Sequence, residues 1–280
     1  MITLPPSHGK ERDDVILQAV AAGQSRISWA HIVSTHEDHE GHFWVFADAL
    51  KLLVEGPNDF PLDVRINVSA SVQQRIADIL GCSLLTPKLA DLMWAQAHLR
   101  LTPSPQSITS STEGMLAHSQ RVDDLVETRK PGPWEGELLC PVGKHWCLDQ
   151  VLASKPGKAL NYGWHFEGAS YQGIKGEVCA SLLKGYDGQY VKVIQGRGTA
   201  HDASHVDYSQ VCVLASTDCR VDGKALKLAD VLADPALAPL ISHQGALTIL
   251  RQPGVPEETN RAGYVRLFDH EQVKSPLLGV

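Results

Sequence analysis

Between Ser69 and Trp94 the chain reads SASVQQRIADILGCSLLTPKLADLMW, and no other stretch limits the fold as much. Ser69 or Ser71 is suited to cap a helix running through Leu80, with Val72, Ile76, Ile79 and Leu80 on one apolar stripe. Gly81 suits the left-handed residue that ends such a helix. Thr86 caps a second helix, with Pro87 at its first position and Leu89, Leu92, Met93 and Trp94 as its apolar face. A helix pair joined by five residues is therefore expected in the first third of the chain.

Most of the remaining chain reads as strand. Arg26 to Ser34 and His42 to Val54 are rich in β-branched and aromatic residues, Asp63 to Val68 reads as another strand, and Leu138 to Leu148, Ala159 to Phe166 and Val178 to Leu183 read as strands separated by Gly and Pro turns. Val191 to Ile194 and Val211 to Leu214 are short apolar runs that read the same way, and Leu247 to Arg251 reads as a last strand. Val221-Asp222-Gly223-Lys224 has the signature of a hairpin turn. Asp14 to Ala22 reads as a short helix or an extended arm, Leu226 to Leu232 as a short helix or strand, and Asp234-Pro235 as the start of a short helix toward Ile241. The fold class expected is α+β, β-rich and mostly antiparallel, around the central helix pair. Residues 1–100 would hold strands and the helix pair. Residues 101–137 would be a long Pro- and Ser-rich connection with one short helix near Met115 to Leu125. Residues 138–280 would form a β-rich part of the same integrated domain.

Composition narrows the class. Apolar residues make up 43% and charged residues 20% of 280, the profile of a globular chain that buries a sizeable core. A net charge of −7 gives no reason to expect nucleic acid. No window is long and apolar enough for a membrane span, and MITLPPSHGKERDD lacks the pattern of a secretory signal. Synthesis in the cytoplasm is expected, with export only by a dedicated machine or lysis. Six cysteines occur without a C-x-x-C pair, so reduced thiols are expected.

Polar chemistry concentrates in GRGTAHDASHVDYSQ, residues 196–210. His201, Asp202, His205, Asp207, Tyr208 and Ser209 lie there on a glycine-entered loop between two strand-like runs, where side chains are commonly presented to a cleft. Three readings stay open. His201 is a general base oriented by Asp207; or His201, His205 and Asp202 or Asp207 bind zinc; or the residues cap a turn. THEDHEGH, residues 35–42, holds three histidines but reads as a solvated hairpin turn. Tyr162-Gly163-Trp164-His165 places Trp164 and His165 on opposite faces of a strand, so that one packs inward and the other lines a surface. Cys82 follows a helix stop and precedes a helix start, where free amide groups lower a thiol pKa. The alternative for Cys82 is a buried thiol in a helix–helix corner.

The blocks ILGCSLLTPKLADLMW, NYGWHF and H-x5-DYS resemble an uncharacterised bacterial family that carries them in this order. The resemblance spans roughly residues 65 to 250 and implies no particular activity. More distant members hold His at the position of Gln210, which leaves His201 as the candidate base. A weaker similarity, in architecture, is to papain-like and NlpC/P60 cysteine hydrolases, where a nucleophilic Cys near a helix start precedes a His on a strand. That similarity implies Cys82, His201 and Asp207 as catalytic residues, with His165, Trp164, Tyr208 and Ser209 lining the substrate cleft. It also implies an amide bond in a peptide, such as a cell-wall peptide, as substrate, with no cofactor. The rival expectations are a zinc-dependent amidase or peptidase and a non-catalytic binding or assembly protein.

Overall fold

The computed structural model describes residues 1–107, 110–129, 137–179 and 191–259. The helix pair forms where its caps place it. Helix α2 (Ala70–Leu80) starts at Ser69, whose hydroxyl accepts the Val72 amide at 3.3 Å, and ends at Gly81 with φ 62° and ψ 37°. Helix α3 (Pro87–Ala95) starts at Thr86, whose hydroxyl accepts the Leu89 amide at 3.1 Å. Two more helices flank the chain's first half: α1 (Lys10–Ala21), and α4 (Thr112–Arg129), which is longer than its sequence pattern indicates. A short α5 (Leu228–Ala233) follows near the end.

The first half of the chain contributes seven of the strands: β1 (Ser25–Arg26), β2 (Trp29–His36), β3 (His39–Phe46), β4 (Lys51–Glu55), β5 (Pro61–Arg65), β6 (Cys82–Leu84) and β7 (Leu99–Arg100). The second half contributes β8 (Leu139–Cys140), β9 (Lys144–Cys147), β10 (Leu160–Glu167), β11 (Glu177–Val178), β12 (Val191–Gly198), β13 (Leu214–Val221) and β14 (Lys224–Lys227). They build a sheet in the order β14-β13-β3-β2 with β6 also on β13, a sheet β1-β4-β5, a sheet β11-β12-β10-β9, and a small pair β7-β8. All pairings but β7-β8 are antiparallel, so the mixed, mostly antiparallel architecture expected from the pattern is the one formed. Asp222 and Gly223, with φ 52° and 76°, close the β13–β14 hairpin in the double left-handed turn that matches strand twist.

Four stretches depart from the pattern. The joint between the two helices is itself a strand, because β6 pairs with β13 through Cys82 and Ser216. Of the run Val211 to Leu214 only Leu214 belongs to a regular strand, and Leu247 to Arg251 is irregular. The strand expected over Val178 to Leu183 lies outside the described residues from residue 180 onward. Strand β10 does not alternate: from Leu160 to Phe166 every residue is buried. A register shift between Asn161 and Gly163, with Trp164 at φ 64°, breaks the two-sided rule, so Trp164 and His165 are both inside. Neither lines an open surface.

On α4, His118 is buried between Trp164 and Tyr208, which meet its ring edge-on, and its Nε2–H donates to the Val142 carbonyl at 2.9 Å. Burial pushes its pKa down to about 4, against the opposing pull of the Val142 bond. The unfolded chain takes up this proton near pH 6.5, the folded chain only near 4, so stability falls as pH drops through that window. About 3 kcal/mol should be lost between pH 7 and pH 4 at this site. Urea unfolding of wild type and His118→Gln across that range checks it: the variant should show the shallower acid slope. Parallel curves would remove His118 from the account.

Candidate functional site

Cys82 is not the activated thiol its place in the sequence suggests. It is a buried strand residue whose Sγ lies 3.6 Å from the Leu80 carbonyl, and burial pushes its pKa well up. At the start of α3 the Leu89 amide is already taken by the Thr86 hydroxyl. Burial, and then Cys82 itself, push the neighbouring Cys212 thiol up as well, so neither thiol is activated by the other.

The loop 201–210 is likewise spent on structure. Asp207 does not orient His201: its Oδ2 accepts Lys144 Nζ at 2.8 Å, while its Oδ1 accepts the Ser209 amide and hydroxyl at 2.8 and 2.7 Å. Gln210 Oε1 accepts the Asp207 amide, and Asn67 donates to the Asp207 carbonyl, which closes a local knot. The Tyr208 hydroxyl accepts the Gln106 amide at 3.0 Å, and Ser209 is fully buried, so neither is a free cleft residue. His201 and His205 stack in parallel, 4.0 Å between centroids and 6° between planes, and Asp202 pairs with Lys158 at 2.6 Å. Ring nitrogens bind metals in the plane of the ring, so a face-to-face stack does not aim them at one point. In the hairpin turn, His39 pairs with Asp222 and His42 with His31 and Glu40. The turn expected over this stretch is the β2–β3 hairpin, with His36 facing His39 in register.

The residues that do converge are Asp91, Tyr162, His165, Cys179 and His243. Asp91 sits in the middle of α3, between Leu89 and Trp94, and is 1% exposed. Four side chains from three segments gather at its carboxylate. From β10, His165 Nε2 lies 2.8 Å from Oδ1 and the Tyr162 hydroxyl donates to the same oxygen at 2.7 Å. From the segment after α5, His243 Nε2 lies 2.8 Å from Oδ2. Cys179, at the end of β11, places Sγ 3.6 Å from the Tyr162 hydroxyl. Ligand-type atoms of Asp91, His165 and Cys179 all lie within 4.8 Å of one another, and this is the one such cluster among the described residues.

Packing holds the cluster in place. Trp94 stacks on His165 at 6.0 Å and 20°, Tyr162 meets the same ring edge-on, and Arg100 covers the other ring system at 4.3 Å from the Trp94 centroid. Behind the cluster is an unusual deficit of partners: His165 Nδ1, both ring nitrogens of His145 and both side-chain atoms of Asn161 are buried without a hydrogen bond. Buried polar groups are nearly always satisfied by protein or by ordered water, so these atoms are open to a further partner. His243 alone reaches the outside: it is 29% exposed and borders a shallow pocket shared with Thr86, Asp149 and Arg197.

Charge follows from this geometry. Burial by itself would raise the Asp91 carboxyl, but the bonds from His165, His243 and Tyr162 outweigh it and hold the group well below the usual carboxylate range. Burial and then Asp91 push the Cys179 thiol well up. Burial and then His165 push His145 down to about 3, so it is neutral. A carboxylate, a thiol, imidazoles and a phenol in one dry pocket form a set of zinc-type ligands and equally a set of acid–base groups.

Of the residues singled out in the sequence, His165 is the one that falls in this cluster; Asp91 left a further trace as a lone acid inside the apolar turn LADLMW, and the structure rotates α3 so that Asp91 is buried and Leu92 only half-buried. Searches among protein families, curated proteins and solved structures find no match to this chain, so its site is read from its own geometry.

Proposed function

We propose that this protein is a metal-dependent hydrolase that holds one zinc-class ion between Asp91, His165 and Cys179. The observation that carries the proposal is the convergence of these three donors within 4.8 Å in a buried pocket. Mixed carboxylate, imidazole and thiolate ligation suits zinc, and three protein ligands with a fourth exchangeable position is the pattern of a catalytic rather than a structural site. His243, bonded to Asp91 Oδ2 and partly exposed, would orient the Asp91 carboxylate from the solvent side, and the fourth position would be open to water. Such an ion activates water and polarises a carbonyl, which suits hydrolysis of an amide, a cell-wall peptide bond included. Tyr162, whose hydroxyl donates to Asp91, would hold that carboxylate in the orientation the ion needs.

The cysteine-hydrolase reading moves to the same place, with Cys179 as nucleophile, His165 as base and Asp91 as orienting group. Its support is the shared convergence; the adjacent carboxylate speaks against it. A thiolate beside Asp91 suffers like-charge repulsion, whereas a cation between the two relieves it.

Metal analysis of the purified protein separates the two. About one equivalent of zinc is expected, lost in Cys179→Ser and His165→Ala and retained in Cys82→Ser and His201→Ala. Amide hydrolysis should vanish with chelator and return with zinc. A metal-free protein that takes up no zinc on dialysis, and whose hydrolysis is abolished by alkylation of Cys179, would establish the cysteine reading instead.

A further inference from the structure

A second site lies on the sheet β1-β4-β5, independent of the Asp91 cluster. The strand register sets Arg26 opposite Lys51 and Lys51 opposite Arg65, three cations abreast across three strands. Like charges directly opposite are destabilising in a sheet, so such a row needs carboxylates among it. Asp48 supplies one, accepting Arg65 Nε and Nη2 at 2.7 Å each and lying 3.1 Å from Lys51 Nζ. Asp123 of α4 supplies another, 2.6 Å from Arg65 Nη1. The Arg65 side chain is 1% exposed and is occupied by these partners.

Asp63 is different. It is two residues before Arg65 on β5 and therefore on the same face. Its Oδ2 is 3.7 Å from Arg26, and its Oδ1 is buried with no partner. The same residues line a cleft of about 350 Å³, together with Ile27, Ser28, Ala49, Val126 and Leu139. That volume is at the small end of ligand sites. The cleft holds three cations and three carboxylates. A lone anion there would face Asp48, Asp63 and Asp123; a lone cation would face Arg26, Lys51 and Arg65. A molecule with both charges meets neither penalty.

We propose that this cleft binds a small zwitterion of the amino-acid class, with its ammonium on Asp63 and its carboxylate on Lys51 and Arg26. The ammonium supplies the donor that Asp63 Oδ1 lacks. Lys51 uses one of its three N–H groups on Asp48 and Arg26 is only loosely engaged, so both keep donors for a carboxylate. The apolar lining from Val126 and Leu139 leaves room for a small side chain.

Calorimetry and thermal shift with the twenty standard amino acids, each set beside its decarboxylated amine and its deaminated acid, tests this on the full chain. At least one amino acid should bind, and its amine and acid should each bind at least about tenfold more weakly, since each lacks one charge-assisted contact. Asp63→Asn and Lys51→Met should each cost at least about tenfold in affinity while the melting temperature without ligand confirms the fold. Absence of binding by any amino acid overturns the proposal. Equal binding by the amine or the acid, or unchanged affinity in Asp63→Asn, overturns it too. Both the zinc content and the hydrolysis of amides should be indifferent to these two substitutions, which keeps this result separate from the reading of the Asp91 site.

Discussion

Replacement of Asp91 by alanine is expected to lower the unfolding free energy by about 3–5 kcal/mol, the range seen when one partner of a buried charged network is removed. Three donors, His165, Tyr162 and His243, would lose their acceptor at once. Two of them are buried and have no water to turn to, and each unsatisfied buried group costs about 1–3 kcal/mol. The alanine also leaves a void next to the His165 imidazole, where the carboxylate lay. Urea unfolding in excess chelator measures this hydrogen-bonding part alone. The same experiment with zinc present should widen the gap between wild type and Asp91→Ala, because the ion stabilises only the chain that binds it. A loss below about 1 kcal/mol in chelator would mean that the network is far looser than its distances state. An equal gap in both solutions would leave the network intact and remove the ion.

Arg65→Met is the second large effect, again about 3–5 kcal/mol. Its guanidinium is the counter-charge for Asp48, and methionine fills much of the volume without the charge. In the wild type, burial pulls the Asp48 pKa up, and Arg65 with Lys51 pulls it down further than that, so the carboxylate stays ionised. Without Arg65 the burial prevails and Asp48 takes up a proton more readily. The sign of the pH effect follows. In the wild type, the stability contributed by ionised Asp48 is present above its unfolded pKa near 3.9 and is lost below it; in the variant, protonation relieves the folded state. The difference between the two proteins should therefore shrink as pH falls from 7 toward 4. Asp48→Asn placed on top of Arg65→Met should recover a large part of the loss at pH 7, since it removes the stranded charge. Failure of that double variant to recover stability would place the loss in packing rather than in charge.

Local signals in the chain were sufficient for local structure. Ser69, Gly81, Thr86 and Pro87 bound the helix pair because a cap needs only the hydroxyl of one residue and an amide three positions on. Asp222-Gly223 makes its hairpin because two adjacent residues accept left-handed backbone there. The antiparallel, β-rich character also follows from short-range alternation and turn residues. Where alternation failed, at β10, burial on both faces had erased the pattern that distinguishes inside from outside.

The site depended on contacts with no short-range trace. Asp91 meets Tyr162, His165 and His243 across 71, 74 and 152 residues, and nothing near Asp91 in the chain shows what will face it. The loop 201–210 drew attention because its polar residues are neighbours in sequence, yet neighbours of this kind satisfy one another: Asp207 bonds Ser209 two residues away and takes Lys144 from β9. Cys82 stood near a helix start along the chain, but pairing of β6 with β13 buried it against backbone, and distance along a chain does not measure distance to an amide group in space. The sequence alone therefore determined the caps, turns and fold class, which depend on interactions within a few residues. Only the tertiary structure decided which acid, imidazole and thiol share a pocket, because that depends on how α3 and the β10 sheet pack together.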